Sequence, residues 1–450
     1  MQVSPPCEML FDESFWDELK DGGCDEVALW RVSVLEKPGQ KPVAYPMIPE
    51  EHPRVLAAVG GKPVSATPVP PFDAMPDLYA GLPWTAPGIP PHLRAEGARL
   101  KDALATGIRK GFKLYFADDK SNFIGLPSAR LNLNAGHLCD PQLPLFTAAR
   151  AVDTLRWFPG FSGLITDGQN FRWEIRPGHP DDMFAEPLDF PNTRSFCEMN
   201  GISLQRVLDG RKRFEELLHS LTPSLVQDFA GNRQGGFGSA EWWAEAPDMF
   251  EWVRFKLMSV EDTISRTFRA VKEKAPLLQV GVSARMSAIA TVSGHNARRV
   301  QQWSDFQLPK EYWWHGGVAG MRGTASAWVE TLMDWNRGLT EDDASTWVSA
   351  AFDYRMTDGY PVSRYSSEAP DEFFDVTVRD QTRKMIAGCG GPDRFVPWVS
   401  QEHGGKWVSA SEMRRLLQVM SEEGATRYCF SMFNRVNPEI RKLIREFAVV

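Results

Sequence analysis

Short apolar runs and longer stretches with an apolar residue every third or fourth position take turns along most of this chain. The runs predict strands and the spaced stretches predict helices. The first pair is a helix in "DESFWDELKD", stopped by Gly-Gly, and a strand at about 26–32. Further on, helix "RAEGARLKDALATGIRKG" leads to strand 112–119, and helix "DPQLPLFTAARAVDTLRWF" to strand 161–168. A long helix follows, with Phe250, Val253, Leu257, Val260, Ile264, Phe268 and Val271 spaced to share one face. Strands at 277–285 and 306–314 come next, then helices at about 324–337, 341–352 and 370–386. Strand 395–400 precedes a helix opened by Ser409 and Glu412 in capping-box spacing. A last strand at 426–433 and the helix "NPEIRKLIREF" close the chain.

Strand and helix thus alternate seven times or more, which predicts a parallel sheet covered by helices. An open doubly wound sheet and a closed barrel both fit. A nucleotide-binding sheet would show a glycine-rich turn straight after a strand, and neither GxGxxG nor a P-loop occurs. The glycine-rich "GNRQGGFG" (231–238) lies between helical patterns and reads as a loop. The expectation is α/β: one (β/α)8 TIM-barrel domain over residues 1–450, with a Pro-rich N-terminal insertion. That insertion, residues 35–92, holds 14 of the 33 prolines. Proline removes a donor and fixes φ, so mostly irregular backbone is expected there.

Composition narrows the function. With 24% charged residues and a net charge of −8, no basic patch forms, and nucleic acid is not an expected partner. No run of 18 apolar residues exists and the N-terminus lacks a signal-peptide pattern, so no membrane contact and a cytoplasmic location are expected. The six cysteines form no CxxC pair and no zinc spacing; they read as buried thiols. No metal and no cofactor is expected, and homo-oligomerisation is left open. The 16 tryptophans suit core packing, but also stacking on the flat faces of sugars.

In such a barrel the chemistry sits where strands end. Strand 112–119 offers Asp118 and Asp119 there. Strand 161–168 offers Asp167, then Gln169, Asn170, Trp173 and Glu174. Strand 277–285 offers Arg285; strand 306–314 offers Lys310, Glu311, Tyr312, Trp314 and His315. Strand 395–400 offers Gln401, Glu402 and His403, with Trp407 just beyond. Lys310 follows a proline in an apolar run, where a lone charge needs a partner. The set is acidic, aromatic and amide-rich, with no nucleophile elbow and no HExxH.

This layout resembles a TIM-barrel glycoside hydrolase of the retaining clan. In a count of eight, "FSGLITDGQNFRWEI" is strand four and "RFVPWVSQEHGG" strand seven. The second resembles the clan's seventh-strand pattern, which implies Glu402 as nucleophile. At strand four the clan has Asn-Glu, whereas this chain has Asp167-Gly168-Gln169-Asn170. Asp167, or Glu174 reaching back, is left as the acid. The resemblance implies hydrolysis of a small glycoside or oligosaccharide by two carboxylates. Trp30, Trp173, Trp313, Trp314 and Trp407 are candidate sugar platforms. Two other readings stay open: a non-hydrolytic carbohydrate-binding barrel, and a barrel lyase or isomerase using Lys310.

Overall fold

The computed structural model describes residues 10–30, 67–83, 88–119, 138–175, 183–232, 246–313, 320–353, 369–403, 406–430 and 438–448, with short pieces at 2–3, 32, 34–36, 43–44 and 244. Its centre is one eight-stranded sheet in which every pair is parallel. The strands are β1 (Gln2–Val3), β2 (Glu26–Trp30), β3 (Lys113–Asp119), β4 (Phe161–Asp167), β5 (Gln279–Arg285), β6 (Phe306–Glu311), β7 (Trp398–Val399) and β8 (Cys429–Phe430). They lie in chain order. Each is therefore reached from the last by a crossover in the same sense, so the sheet is singly wound.

The strand sequences show why. Six of the seven β4 residues and all six β6 residues are buried. A strand covered on both faces needs an apolar run without alternation, as a parallel sheet sandwiched by helices requires.

The sheet curls. Six strand-to-strand steps separate β2 from β8, about 29 Å if the sheet were flat. Yet Arg427, just before β8, ion-pairs with Glu26 at the start of β2, 2.7 Å apart. Burial would raise the Glu26 carboxyl, but the Arg427 guanidinium outweighs it and holds it below its ordinary range. The ring of Tyr115 on β3 meets Phe306 on β6 edge-on, at 5.7 Å. These contacts cross the concave side.

Several strands are shorter than their apolar runs. The β6–β7 ladder holds an isolated Gln307–Phe395 bridge and the pairs Lys310–Trp398 and Glu311–Val399. Pro309 and Pro397 fall in the gap between them. Neither has an N–H to give, so the ladder breaks and β7 keeps two residues where 395–400 was expected. The run 306–314 likewise ends as a strand at Glu311.

One other expectation needs correction. The long helix Pro247–Lys274 does not bury one simple face: Phe250 is exposed, while Trp252, Phe255, Lys256, Ser259 and Thr263 are buried. It packs on both Leu143–Trp157 and Leu204–Leu218, so two sides are covered. Much of 35–92 lies outside the described residues. Val34–Glu36 pairs antiparallel with both Val43–Ala44 and Thr67–Val69, and 3-10 turns follow at Pro76–Tyr79 and Pro91–Leu93. The segment "GNRQGGFG" lies mostly outside the described residues. The five described cysteines are free and buried, and no described helix is long and apolar enough to cross a membrane.

One buried acid lies on the outer face. Glu311 follows Lys310, so it points away from the concave side, toward Cys389 on helix Arg379–Cys389. It is fully buried, and neither carboxyl oxygen has a hydrogen-bond partner. Burial pushes its pKa up to about 8, with the nearby Trp313 indole opposing weakly.

Two measurements follow from these contacts. In a double-mutant cycle of Glu26→Gln and Arg427→Met, urea unfolding gives a coupling of about 1–2 kcal/mol, between surface and buried values. Zero coupling would mean the pair does not hold the curl. The second concerns Glu311, which keeps its proton to about pH 8 when folded and releases it near 4.5 when unfolded. Folding stability therefore falls as pH rises between those values. Melting temperatures across pH 5 to 9 show that slope in the native protein, and Glu311→Gln reduces it. An unchanged slope in the variant rejects the assignment.

Candidate active site

A group of polar and charged residues of the concave face lies at the C-terminal ends of β4 to β7. In parallel register, Ser283 pairs with Leu308, Arg285 with Lys310, and Lys310 with Trp398. Residues two apart on one strand share a face. Asp167, Ser283, Arg285, Lys310, Trp398 and Tyr312 thus converge, and their contacts confirm it. Lys310 Nζ is 2.8 Å from Asp167 Oδ1 and 3.0 Å from Oδ2. It also stands 5.2 Å from the centre of the Trp398 ring, which Tyr312 meets edge-on at 6.2 Å. Arg285 lays its guanidinium over Trp173, 3.9 Å from the ring centre.

Asp167, Lys310 and Arg285 are all at least nine-tenths buried. Burial alone would raise the Asp167 carboxyl. The Lys310 ammonium and then the Arg285 guanidinium outweigh it, and the carboxyl is held below its usual range. Burial pulls Arg285 down from its ordinary value, against Asp167, Tyr312 and Glu174. His295, in the loop after β5, is pushed down to about 3 by burial and then by Arg285 and Lys310. It is a neutral imidazole facing two cations, its Nδ1 3.3 Å from Ser293 Oγ and its Nε2 unpartnered.

The loop after β4 carries Gln169 to Ile175 and is fixed from three sides. Phe171 N–H donates to the Ser293 carbonyl at 2.9 Å. Helix Met321–Trp335 supplies the Trp328 indole to the Trp173 carbonyl at 3.2 Å, and Thr324 Oγ1 to Glu174 Oε1 at 3.1 Å. Below, the buried Lys256 donates to the Arg172 carbonyl at 3.2 Å. Burial lowers Lys256 and raises the neighbouring Glu186, each to about 7. A short loop with this many anchors holds Trp173 and Glu174 without help from a ligand.

Of the residues singled out in the sequence, Asp167, Trp173, Arg285, Lys310 and Tyr312 meet here. Glu174 stands within electrostatic reach of Arg285. Gln169 accepts from Thr166 Oγ1 at 3.1 Å, and Asn170 donates to the Phe171 carbonyl at 3.0 Å; both are buried in the loop. Asp118 and Asp119 pair through their backbones with Thr166 and Asp167; their side chains lie outside the described residues. So do Trp314 and His315. Glu402 and His403 form a two-residue antiparallel hairpin with Lys406–Trp407, directly after β7. The side chains of Glu402, His403 and Trp407, like that of Trp30, are not among those described. Trp313 turns to the outer layer, edge-on to Phe373 at 5.7 Å, and is no sugar platform.

Sequence reasoning missed Trp398, Ser283 and His295. For the first two the signal was present: each lies two residues before a polar strand end, Ser400 and Arg285, and so shares its face. His295 had none, since a loop histidine before Asn-Ala looks like any turn. Among the described residues no three of His, Cys, Asp and Glu converge as metal ligands would. A cavity of about 460 Å³ lies at the opposite, N-terminal ends of the strands, lined by Glu26, Lys113, Gln279 and Arg427.

No protein-family model and no curated protein matches the chain. Among solved structures it is similar to the β-galactosidase of the psychrophilic Marinomonas ef1: 10% identity, TM-score 0.44, covering 100% of this chain and 58% of that one. It is similar also to the β-galactosidase of the haloarchaeon Halorubrum lacusprofundi: 10% identity, TM-score 0.47, covering 99% and 56%. The catalytic domain of β-amylase from Paenibacillus polymyxa matches at 7% identity and TM-score 0.45, covering 98% and 94%. The chain spans little more than half the length of the two β-galactosidases.

Removing the one charge that both cations face has a predictable cost. Asp167→Asn keeps the shape but leaves Lys310 buried without its anion, which costs about 3–5 kcal/mol in urea unfolding. The folded carboxyl binds its proton less readily than the unfolded one. Its contribution is thus present above the ordinary carboxylate range and lost as pH falls below about 4. Wild-type stability drops through that window more steeply than the variant's. Equal stability at pH 7 would show that the pair carries no weight.

Proposed function

We propose that this chain is a glycoside hydrolase built on a closed (β/α)8 barrel, cleaving the glycosidic bond of a small glycoside or oligosaccharide. The observation that carries the reading is the ionised Asp167 at the end of β4, walled by Trp173, Trp398 and Tyr312. Aromatic faces suit sugar rings, and fixed charges at strand ends can stabilise the positive charge that develops at the anomeric carbon.

Asp167 itself is a poor proton donor, because its neighbours keep the proton off. We assign the acid to Glu174, carried by the anchored loop and accepting from Thr324, and the nucleophile to Glu402 at the end of the seventh strand. A retaining mechanism then requires their carboxyls about 5–5.5 Å apart. Asp167 holds Lys310 in place and shields the site from its charge. An ion-paired Lys310 is no free amine, which argues against the Schiff-base reading. The locked state of Asp167 gives a second reading some support: a barrel that binds sugar without cleaving it.

Aryl glycosides of both anomers test the assignment. Glu402→Gln abolishes turnover. Glu174→Gln lowers kcat/KM by about 10²–10⁴ on glycosides with poor leaving groups, and much less on activated aryl ones. Full activity in Glu402→Gln removes it from the mechanism. Quenching of tryptophan fluorescence by sugar without turnover selects the binding reading.

A further inference from the structure

Resting on that reading of the site, we propose that Arg285 receives a carboxylate of the sugar, so that the substrate class is a uronide and not a neutral glycoside. Arg285 is 6% exposed. Its guanidinium lies over Trp173, 3.9 Å from the ring centre, yet it makes no hydrogen bond and no ion pair with the described residues. A guanidinium has five N–H donors, and burying them without acceptors is costly. The nearby carboxylates do not satisfy it. Asp167 spends both oxygens on Lys310, and Glu174 accepts from Thr324 instead. Among the described residues, this stacked, charged fork has no acceptor.

The chemistry of the missing acceptor follows from the fork. Planar, doubly donating guanidinium matches a carboxylate bidentately, and the pair is strongest when buried. Sugar hydroxyls accept single bonds and bring no charge. Two buried donors in the loop after β4, the Trp173 indole N–H and Gln169 Nε2, also have no partner among the described residues. Neutral His295 adds a third uncharged polar edge beside the cations.

The test compares 4-nitrophenyl glucuronides and galacturonides of both anomers with the matching glucosides and galactosides. The native protein prefers its best uronide over the neutral counterpart by roughly a hundredfold or more in kcat/KM, as sites built around a paired polar group do. Arg285→Gln collapses that ratio, mainly through KM, and Arg285→Lys restores part of it. A native preference for neutral sugars overturns the proposal, and so does an equal loss on both classes in Arg285→Gln. If no glycoside is cleaved, hydrolysis fails but the carboxylate site is still read directly. Free glucuronate or galacturonate then quenches tryptophan fluorescence where glucose and galactose do not, and Arg285→Gln abolishes it. Equal quenching by acid and neutral sugar, or stronger quenching by glucose 6-phosphate, rejects a carboxylate site.

Discussion

Two positive charges buried beside one negative charge set the terms for this site. An isolated ion costs several kcal/mol to take out of water, so a buried charge persists only where its neighbours compensate it. Asp167 does so for Lys310 through two short contacts. The Arg285 cation is close enough to help keep Asp167 ionised, but too far to bond to it. The ring of Trp173 takes one guanidinium face, which offers a cation an attractive quadrupole. His295 responds to the same field: burial and the two cations both disfavour its proton.

That arrangement depends on the sheet. Asp167, Arg285, Lys310 and Trp398 belong to four successive strands, and on a flat sheet they would stand in a row. Curvature turns the row into a cup. The Glu26–Arg427 pair spans the two far sides of the sheet, and Tyr115 with Phe306 fills the floor between. Above the floor, helix Met321–Trp335 reaches over to grip the loop after β4. Packing at the bottom and hydrogen bonds at the rim therefore act on the same few side chains.

Much of the fold was legible because parallel strands buried on both faces leave unmistakable apolar runs, as in "FSGLITD" and "FQLPKE". Their ends were less so. Pro309 and Pro397 stop a ladder through a missing donor, and that needs the register of two strands to be known at once. Of the site, the charged residues stood out: Lys310 in an apolar run could not be innocent, and its partner proved to be Asp167. Tyr312, at the end of the same run, faces the site as expected. Trp313 does not, because one step along the chain reverses the side. The face of the long helix was misjudged because periodicity marks apolar residues, while burial between two helices also takes in Lys256, Ser259 and Thr263.

The contrast between two arginines separates structure from function. Arg322 is as deeply buried as Arg285. It reaches Glu412 at 2.8 Å, and the same carboxylate oxygen also accepts the backbone N–H of Ala369 at 2.9 Å. Glu412 in turn caps the helix Ala410–Glu422. Arg322 therefore ties three segments together, and its partner is part of the chain. Arg285 makes no such tie among the described residues: its guanidinium lies over the Trp173 ring, at the end of the strands where ligands of parallel α/β proteins bind. Two residues of one type, both buried, differ in where their acceptor comes from. For Arg322 folding supplies it, and for Arg285 the physical expectation is that binding does.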